Sequence, residues 1–418
     1  MIYTFKQKVI DTLIVFLLVM STGGLLFVFN RNNMYLLFSC VLIAAIFFSN
    51  NQFKRRLFNS SITAFFILVA LFWINYSFGL SGQLVSKYLY YMVVIFVSAL
   101  SFFHFSNNRD ISIFSERLYI VLKFFSVHAF FQAIAYLFIG NNLQTIYHKE
   151  YECTTFNYLF YYASTDVKKF SEISLFGLNL MRNQGLFWEA GVAQLFFNIY
   201  FFLEAFVFKR SRIMLIITML VIISTYSTIG IIILLMQMFY YTFFQNRSIL
   251  ALIFAIFTFS SISSLVLFNI QEKTTGEKEA SFQKRYFDLI QPFFIALENP
   301  LTGVGLDLYK FQEYRSEFYI NSSSSSIIEE NIGLDLKMET TEQGSSNSFM
   351  YILAAMGFPT GLFIIYLFFK QSIIKEKKHI FLIVISLSLF SSPLLLRPFL
   401  VFLIFSGFVD LNLKFKSY

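Results

Sequence analysis

Charge is scarce in this 418-residue chain: Asp, Glu, Lys and Arg make up 13% of the residues, whereas 57% are hydrophobic. Soluble domains carry about 25% charged residues, so the composition excludes a soluble enzyme and a disordered protein. Cys40 and Cys153 are too few for a disulfide framework or a zinc site. The four histidines, at positions 104, 128, 148 and 379, have no spacing that suits a metal. The bilayer is the expected environment, and the sequence predicts neither a metal nor a cofactor.

The hydrophobic residues are grouped in runs that suit membrane-spanning helices, which need about 20 apolar residues. Twelve spans are predicted, at 10–29, 34–49, 61–75, 88–105, 118–139, 188–208, 213–226, 229–244, 249–270, 347–369, 380–395 and 398–412. With the N-terminus inside, cytoplasmic segments hold 17 of the 32 basic residues, and the short outer loops hold three. This bias explains the net charge of +8 without a nucleic-acid partner, and it predicts that both termini are cytoplasmic.

The predicted fold class is an all-α polytopic membrane protein, with residues 1–418 in a single transmembrane domain. Two long extracytoplasmic loops are expected, at 140–187 and 271–346, and the second holds 13 of the 24 acidic residues. Within it, apolar residues recur at helical spacing and predict an amphipathic helix near 281–299: Phe282, Tyr286, Leu289, Phe293 and Leu297. Such a helix suits either the membrane surface or packing on the transmembrane bundle, and the two interpretations are compatible.

The first loop ends in a polar stretch that runs directly into the sixth predicted span. It places Arg182 just outside the bilayer and Glu189 at or just below the surface. A carboxylate at that depth is costly and therefore indicates a functional site, although a solvated or locally paired position in the headgroup region is the alternative. Gly357 and Gly361 form a GxxxG pattern that is typical of close helix packing.

Three stretches, in this order, resemble the O-antigen polymerase and ligase superfamily of bacterial envelope glycosyltransferases. They are RNQGLFWEAG at 182–191, KRYFDLIQPFFIALENPLTGVGLDLY at 284–309 and SSNSFMYILAAMGFPTGL at 345–362. The stretch STYSTIG at 224–230 is similar, more weakly, to a turn between two short spans of the same family. The resemblance implies a fold like that of the GT-C-type membrane glycosyltransferases.

One departure from the family bears on function. Ligases of this superfamily carry a His beside the Asn of the third stretch, whereas Ser346 precedes Asn347 here. The resemblance therefore implies a polymerase that joins undecaprenyl-pyrophosphate-linked repeat units into O-antigen, capsule or another exopolysaccharide. The alternatives are an O-antigen ligase and a lipid-linked oligosaccharide flippase or other transporter. The expected location is the bacterial inner membrane, with lipid-linked donor and acceptor glycans and a possible chain-length regulator as partners.

The same resemblance implies roles for individual residues. Arg182 and Arg285 are expected to hold the pyrophosphate, because a guanidinium binds phosphate oxygens bidentately. Glu189 is expected to act as the base for the acceptor hydroxyl or to orient Arg182. Five further residues are expected to contact the substrate or to shape the turn beside it: Lys284, Tyr286, Asn347, Gly303 and Gly305.

Overall fold

The computed structural model describes residues 5–48, 54–80, 82–108, 111–148, 151–163, 172–175, 178–245, 279–321 and 345–415. The predicted ninth span, at 249–270, lies outside the described residues, as does 322–344 of the second long loop. The chain divides into two compact units. The first unit comprises residues 1–36, 114–272 and 374–388, and the second comprises 37–113, 273–373 and 389–418.

Helices account for most of the described chain. They are α1 (Phe5–Met20), α2 (Leu25–Phe29), α3 (Arg31–Phe47), α4 (Arg55–Phe78), α5 (Val85–Asn108), α6 (Ile111–Ile139), α7 (Ala190–Phe202), α8 (Arg212–Ser224), α9 (Thr228–Tyr240), α10 (Glu279–Glu298), α11 (Leu308–Asn321), α12 (Ser348–Phe369), α13 (Lys378–Leu389) and α14 (Pro398–Phe415). Helix α7 continues as a π-helical segment, Leu203–Phe208, and α9 continues as another, Tyr241–Gln245.

Within the described ranges, five helices are long and apolar enough to cross a membrane. They are Arg55–Phe78, Val85–Asn107, Ile111–Ile139, Ala190–Phe208 and Ser348–Phe369. Four shorter apolar helices accompany them: Arg31–Phe47, Arg212–Ser224, Thr228–Phe243 and Lys378–Leu389. The chain is therefore a mostly helical, multi-pass membrane protein. Its twelve-span plan and its resemblance to GT-C-type enzymes stay predictions.

The prediction of an all-α fold is wrong in the first long loop, which contains β-structure. Strands β1 (Gln144–His148), β2 (Tyr151–Phe156) and β3 (Phe160–Ala163) form an antiparallel sheet in the order β1-β2-β3. Strands β4 (Glu172–Leu175) and β5 (Leu178–Met181) form a separate antiparallel pair. These segments are rich in Tyr, Thr and Ile, which favour strands, but each is too short to register as a hydrophobic run.

The first predicted span, 10–29, is not one helix. Helix α1 ends at Met20, and a turn at Ser21–Gly24 separates it from α2. Gly23 has φ +155°, and a Cβ there would lie 2.8 Å from a methyl carbon of Val192. Only glycine therefore fits this turn, which lies against the start of α7.

In the second unit, α12 is broken at Gly357 (φ 73°, ψ 168°), two residues before Pro359. Pro359 has no N–H, so the carbonyl of Ala355 loses its helical partner. The N–H of Phe358 turns away from Ala354 and donates instead to Pro300 (2.8 Å). The break thus leaves two adjacent carbonyls of a transmembrane helix available to another segment.

Candidate functional site

In the first unit, the segment 182–189 is fixed to the break between α8 and α9, which is the STYSTIG turn. The N–H of Asn183 donates to the carbonyl of Ser224 (2.9 Å), and Arg182 donates from Nε to the carbonyl of Thr225 (3.0 Å). The amide Nδ2 of Asn183 also donates to the carbonyl of Ala129 (2.7 Å) and to the Ser224 hydroxyl (3.0 Å). Two stretches of the family pattern are therefore in direct contact, and Arg182, half-buried, lies at their junction.

The other side of this segment pairs with the turn after α1. Leu25 donates its N–H to Leu186 (2.9 Å), and Trp188 donates its N–H to Gly23 (3.0 Å). The ring of Phe187, between these two bonds, is fully buried and stacks on Phe196 with a centroid distance of 5.0 Å. The segment is thus fixed by backbone bonds on two sides and by a buried ring in its middle.

Glu189 is the N-cap residue of α7, with extended backbone (φ −151°, ψ 156°) and a half-buried side chain. Its side chain accepts no capping bond, so the carboxylate is not used to close the helix. Next to it, the Tyr151 hydroxyl donates to the Trp188 carbonyl (2.8 Å), and burial raises the pKa of Tyr151 well above its usual value. Tyr151 is therefore a neutral donor.

In the second unit, Arg285 is half-buried on α10, between two unlike faces of that helix. One face is buried and includes Phe287, Asp288 and Ile295. The other face exposes three apolar side chains, Leu289, Phe293 and Leu297. Lys284 and Tyr286 also lie in α10, but their side chains are outside the part of the chain that the structure describes. The predicted amphipathic helix thus presents an apolar face with Arg285 beside it.

The buried face of α10 contains an ion pair between Asp288 and Arg315 of α11. Asp288 Oδ1 and Arg315 Nη2 are 2.6 Å apart, and both side chains are fully buried. Arg315 also donates from Nε to Gln291 and lies over the Phe287 ring, 4.7 Å from its centroid. Burial lowers the pKa of Arg315, and the charge of Asp288 acts in the opposite direction.

Gly303 and Gly305 belong to a turn that lies against the broken part of α12. The N–H groups of Val304 and Gly305 donate to the freed carbonyls of Ala354 and Ala355 (both 2.9 Å). At Gly303, φ is +67° and a Cβ would collide with the backbone of Ala355; at Gly305, φ is +102° and a Cβ would collide with Gln83. Gly303 is therefore required by close backbone approach, and Gly305 is favoured by its positive φ.

Polar side chains from α4, from α5 and from the segment between them complete the bonding of this turn. Asn75 donates from Nδ2 to Thr302 (2.6 Å) and to Ala355 (2.8 Å), while Gln83 donates from Nε2 to Val304 (3.0 Å). The Tyr88 hydroxyl accepts from the N–H of Leu306 (3.0 Å). The turn is consequently bonded to α4, to α5 and to the segment between them.

Asn347 is buried and caps α12: its Oδ1 accepts from the N–H groups of Phe349 (3.0 Å) and Met350 (3.1 Å). Because Oδ1 is used by the helix, a contact with a sugar or phosphate oxygen would have to come from Nδ2, which is a donor. Asn347 therefore caps α12 through Oδ1, and the predicted substrate contact would be made by Nδ2.

Sequence reasoning missed Arg315, Asp288 and the amides of Asn75 and Gln83. Asp288 stands three residues after Arg285 at helical spacing, which is the one signal that could have drawn attention to it. Arg182 and Glu189 lie in the first unit, whereas Arg285, Gly303, Gly305 and Asn347 lie in the second. Among the residues that the structure describes, no group of three His, Cys, Asp or Glu side chains could hold a metal ion.

Residues 213–365 match the family model described as O-Antigen ligase. The match begins in α8 and ends in α12, so it contains the α8–α9 break, Arg285, the glycine turn and Asn347. Arg182 and Glu189 precede it. The resemblance to the O-antigen polymerase and ligase superfamily is thereby confirmed. No curated protein and no solved structure matches the chain.

Proposed function

We propose that this multi-pass chain, whose residues 213–365 match the O-antigen ligase family, is a membrane glycosyltransferase that polymerises lipid-linked oligosaccharides. Its substrates are repeat units on undecaprenyl pyrophosphate, and its product is a surface polysaccharide such as O-antigen or capsule. The reaction takes place at the outer face of the bacterial inner membrane. A chain-length regulator is a possible further partner.

The observation that carries the proposal is the position of Arg285 on α10. The exposed stripe of Leu289, Phe293 and Leu297 suits the boundary between headgroups and acyl chains, because an amphipathic helix lies there with its apolar face inward. A cation at the edge of such a stripe stands at the depth of a lipid phosphate. A half-buried guanidinium at that depth supports pyrophosphate binding.

The proposed reaction is a glycosyl transfer between two lipid-linked chains. An acceptor hydroxyl oxygen forms a bond to the anomeric carbon of the donor, and the bond from that carbon to the pyrophosphate oxygen breaks. The leaving undecaprenyl pyrophosphate gains negative charge, which Arg182 and Arg285 stabilise. Preorganised charges of this kind contribute about 3–4 kcal/mol each to lowering a barrier.

The hydroxyl proton must also be accepted by the protein, and Glu189 is the candidate. Its carboxylate is half-buried, is not used as a helix cap and stands at a helix N-terminus. A carboxylate at this position can act as the general base for the acceptor hydroxyl, or it can orient Arg182.

A ligase is the second candidate because the matching family model carries that name. Ser346 stands where the ligases have a His, and the second unit contains one histidine, His104. Directly after the glycine turn, Leu306 bonds to Tyr88 of α5, and Asp307 accepts from Leu84, the residue just before α5. His104 follows Tyr88 by sixteen residues on that helix, which corresponds to about 24 Å along the axis. The absence of an imidazole from the described part of this site favours the polymerase.

The surface glycan profile of a deletion strain tests the proposal. A polymerase predicts glycan caps of a single repeat unit, which the wild-type gene restores to long chains. A ligase predicts no surface glycan and accumulation of lipid-linked polymer. A flippase predicts lipid-linked single units retained at the cytoplasmic face. Either of the last two profiles would overturn the polymerase proposal.

A further inference from the structure

The Asp288–Arg315 ion pair lies in the protein interior, where an ion pair is expected to add little to folding stability. Both side chains are fully buried, and their closest atoms are 2.6 Å apart. Taking two charges out of water costs several kcal/mol for each, so a buried pair is often no more stabilising than apolar residues of the same size. Because the chain has few charged residues and this pair is costly to bury, we expect the pair to be present for the geometry that it imposes on the segments it joins.

Three separate parts of the second unit meet at this pair. Asp288 belongs to α10 and Arg315 to α11, and Gln291 closes a second contact by donating from Nε2 to the Arg315 carbonyl (3.1 Å). The other oxygen of Asp288, Oδ2, accepts from the N–H of Ser346 (2.8 Å). The backbone carbonyl of Asp288 accepts from the Ser345 hydroxyl (3.1 Å). One carboxylate therefore fixes α10, α11 and the start of the third family stretch to one another.

Two residues of the proposed substrate site lie next to this junction. Arg285 is one helical turn before Asp288, and Asn347 follows Ser346 directly. Neither is free to move relative to the other without breaking bonds to Asp288. The guanidinium of Arg315 constrains the orientation of its partners as well as their distance, because its N–H groups all lie in one rigid plane. The pair thus fixes the helical turn that carries Arg285 relative to the 345–346 segment that leads into Asn347.

We propose that Asp288 and Arg315 form a positioning pair that holds Arg285 and Asn347 in register for the lipid pyrophosphate. This inference rests on the proposed function. The pair contacts Gln291, Phe287 and the 345–346 backbone rather than the substrate. Its loss is therefore expected to lower kcat at a nearly unchanged KM, because the pyrophosphate is still bound but its leaving oxygen is no longer aligned.

The test compares purified full-length variants acting on undecaprenyl-pyrophosphate-linked repeat units extracted from the deletion strain. The Asp288→Leu/Arg315→Met double variant removes both charges together, so no uncompensated charge is left in the interior. We expect its melting temperature in detergent to stay within a few degrees of wild type. We expect its kcat to fall about 100-fold, because a displacement of about 1 Å in a positioned group can cost that much. Arg315→Lys keeps the charge but loses the fork, and an approximately tenfold fall is expected.

An exposed pair on α11 supplies the matched control. Lys310 and Glu313 are also 2.6 Å apart, but their side chains are 37% and 58% exposed. The Lys310→Met/Glu313→Leu double variant makes the same kind of chemical change and is expected to keep wild-type kcat.

Wild-type kcat in both the Asp288→Leu/Arg315→Met and Arg315→Lys variants would overturn the inference, provided that Arg285→Ala is inactive. If the apolar double variant does not accumulate in the membrane, Arg315→Lys alone decides the outcome. Wild-type activity of Arg285→Ala would instead overturn the role of Arg285 in pyrophosphate binding, and the glycan profile of the deletion strain tests the proposed function separately.

Discussion

The backbone nitrogen of Asn183 lies 2.9 Å from the carbonyl oxygen of Ser224. This bond joins the segment that carries Arg182 to the break between α8 and α9. It explains why the break is polar: the last carbonyls of α8, which a continuous helix would use itself, are turned toward Arg182 and Asn183.

Replacing Asn183 by alanine is expected to shift the position of Arg182, although Arg182 itself is unchanged. The variant loses the bonds from Nδ2 to Ala129 and Ser224, and it leaves the buried N–H of Gly185 without the Oδ1 acceptor that Asn183 provides. Such a loss costs about 1–3 kcal/mol. We expect a lower melting temperature and shorter polymer, measured by thermal unfolding in detergent and by gel profiles of the glycan. Gln144→Ala, at an exposed position of β1, is the control and should leave both unchanged. Full-length polymer from Asn183→Ala would show that this anchorage is dispensable.

The two motif arginines are expected to be essential. Arg182→Ala and Arg285→Ala each remove a charge that stabilises the leaving pyrophosphate, and a loss of about 3–4 kcal/mol corresponds to a rate decrease of about 100- to 1,000-fold. Long-chain polymer should disappear while the protein remains in the membrane, as judged by immunoblot of membrane fractions. Arg31→Ala, an exposed arginine of a predicted outer loop outside the family pattern, should keep wild-type chain lengths. Wild-type chains in both motif variants would remove the pyrophosphate role.

The two possible roles of Glu189 separate in a double-mutant cycle. As a general base, Glu189→Gln should lower kcat by about 100- to 10,000-fold. Adding Arg182→Lys should then lower it further by the factor that Arg182→Lys causes alone. As the residue that orients Arg182, Glu189→Gln should instead cause a loss that is not additive with Arg182→Lys, because both changes disturb one interaction. Full activity of Glu189→Gln would leave only a structural part for this carboxylate.

Local sequence patterns predicted where the helices form better than they predicted which residues those helices contact. The spacing of Leu289, Phe293 and Leu297 predicts a helix near 281–299, and α10 occupies Glu279–Glu298. Those three side chains are exposed, however, and the opposite face is buried around Asp288. That arrangement depends on Arg315, which lies 27 residues later, and the periodicity of α10 contains no information about it.

The candidate site shows the same division between local and distant information. Arg182, Glu189 and Arg285 could be named because their motifs are short and continuous. The β-strands of the first long loop were missed because segments of four to six residues leave no hydrophobic run. The break in α12 was also missed, since Gly357 and Pro359 allow a kink but its cause is the glycine turn that pairs with the freed carbonyls.

The glycine turn predicts a sharp steric effect. In Gly303→Ala the new Cβ would collide with the backbone of Ala355, and φ of +67° is unfavourable for alanine. The strain, about 1–3 kcal/mol, should lower the melting temperature and weaken the pairing with Ala354. Gly140→Ala is the matched control, because the nearest atom to its added Cβ is 3.5 Å away. Equal melting temperatures for the two variants would contradict the close approach at Gly303.

The Cys153 thiol is expected to resist alkylation. It is buried in β2, and burial, with a smaller contribution from Glu152, raises its pKa from 9.0 to about 11. Because the pKa is raised, the unreactive neutral thiol prevails until the pH approaches 11; at pH 8 about one molecule in 1,000 is ionised, against one in ten for an ordinary thiol.

In a Cys40→Ser background, maleimide at pH 8 should label Cys153 only after denaturation. The reference is Tyr147→Cys in the same background, on the neighbouring strand, because Tyr147 is 74% exposed. Its thiol should react fully in the native protein, including with a membrane-impermeant maleimide added from outside. Equal labelling rates at the two positions would contradict the burial of Cys153, and protection of the new thiol from the impermeant reagent would contradict an outer position for this loop.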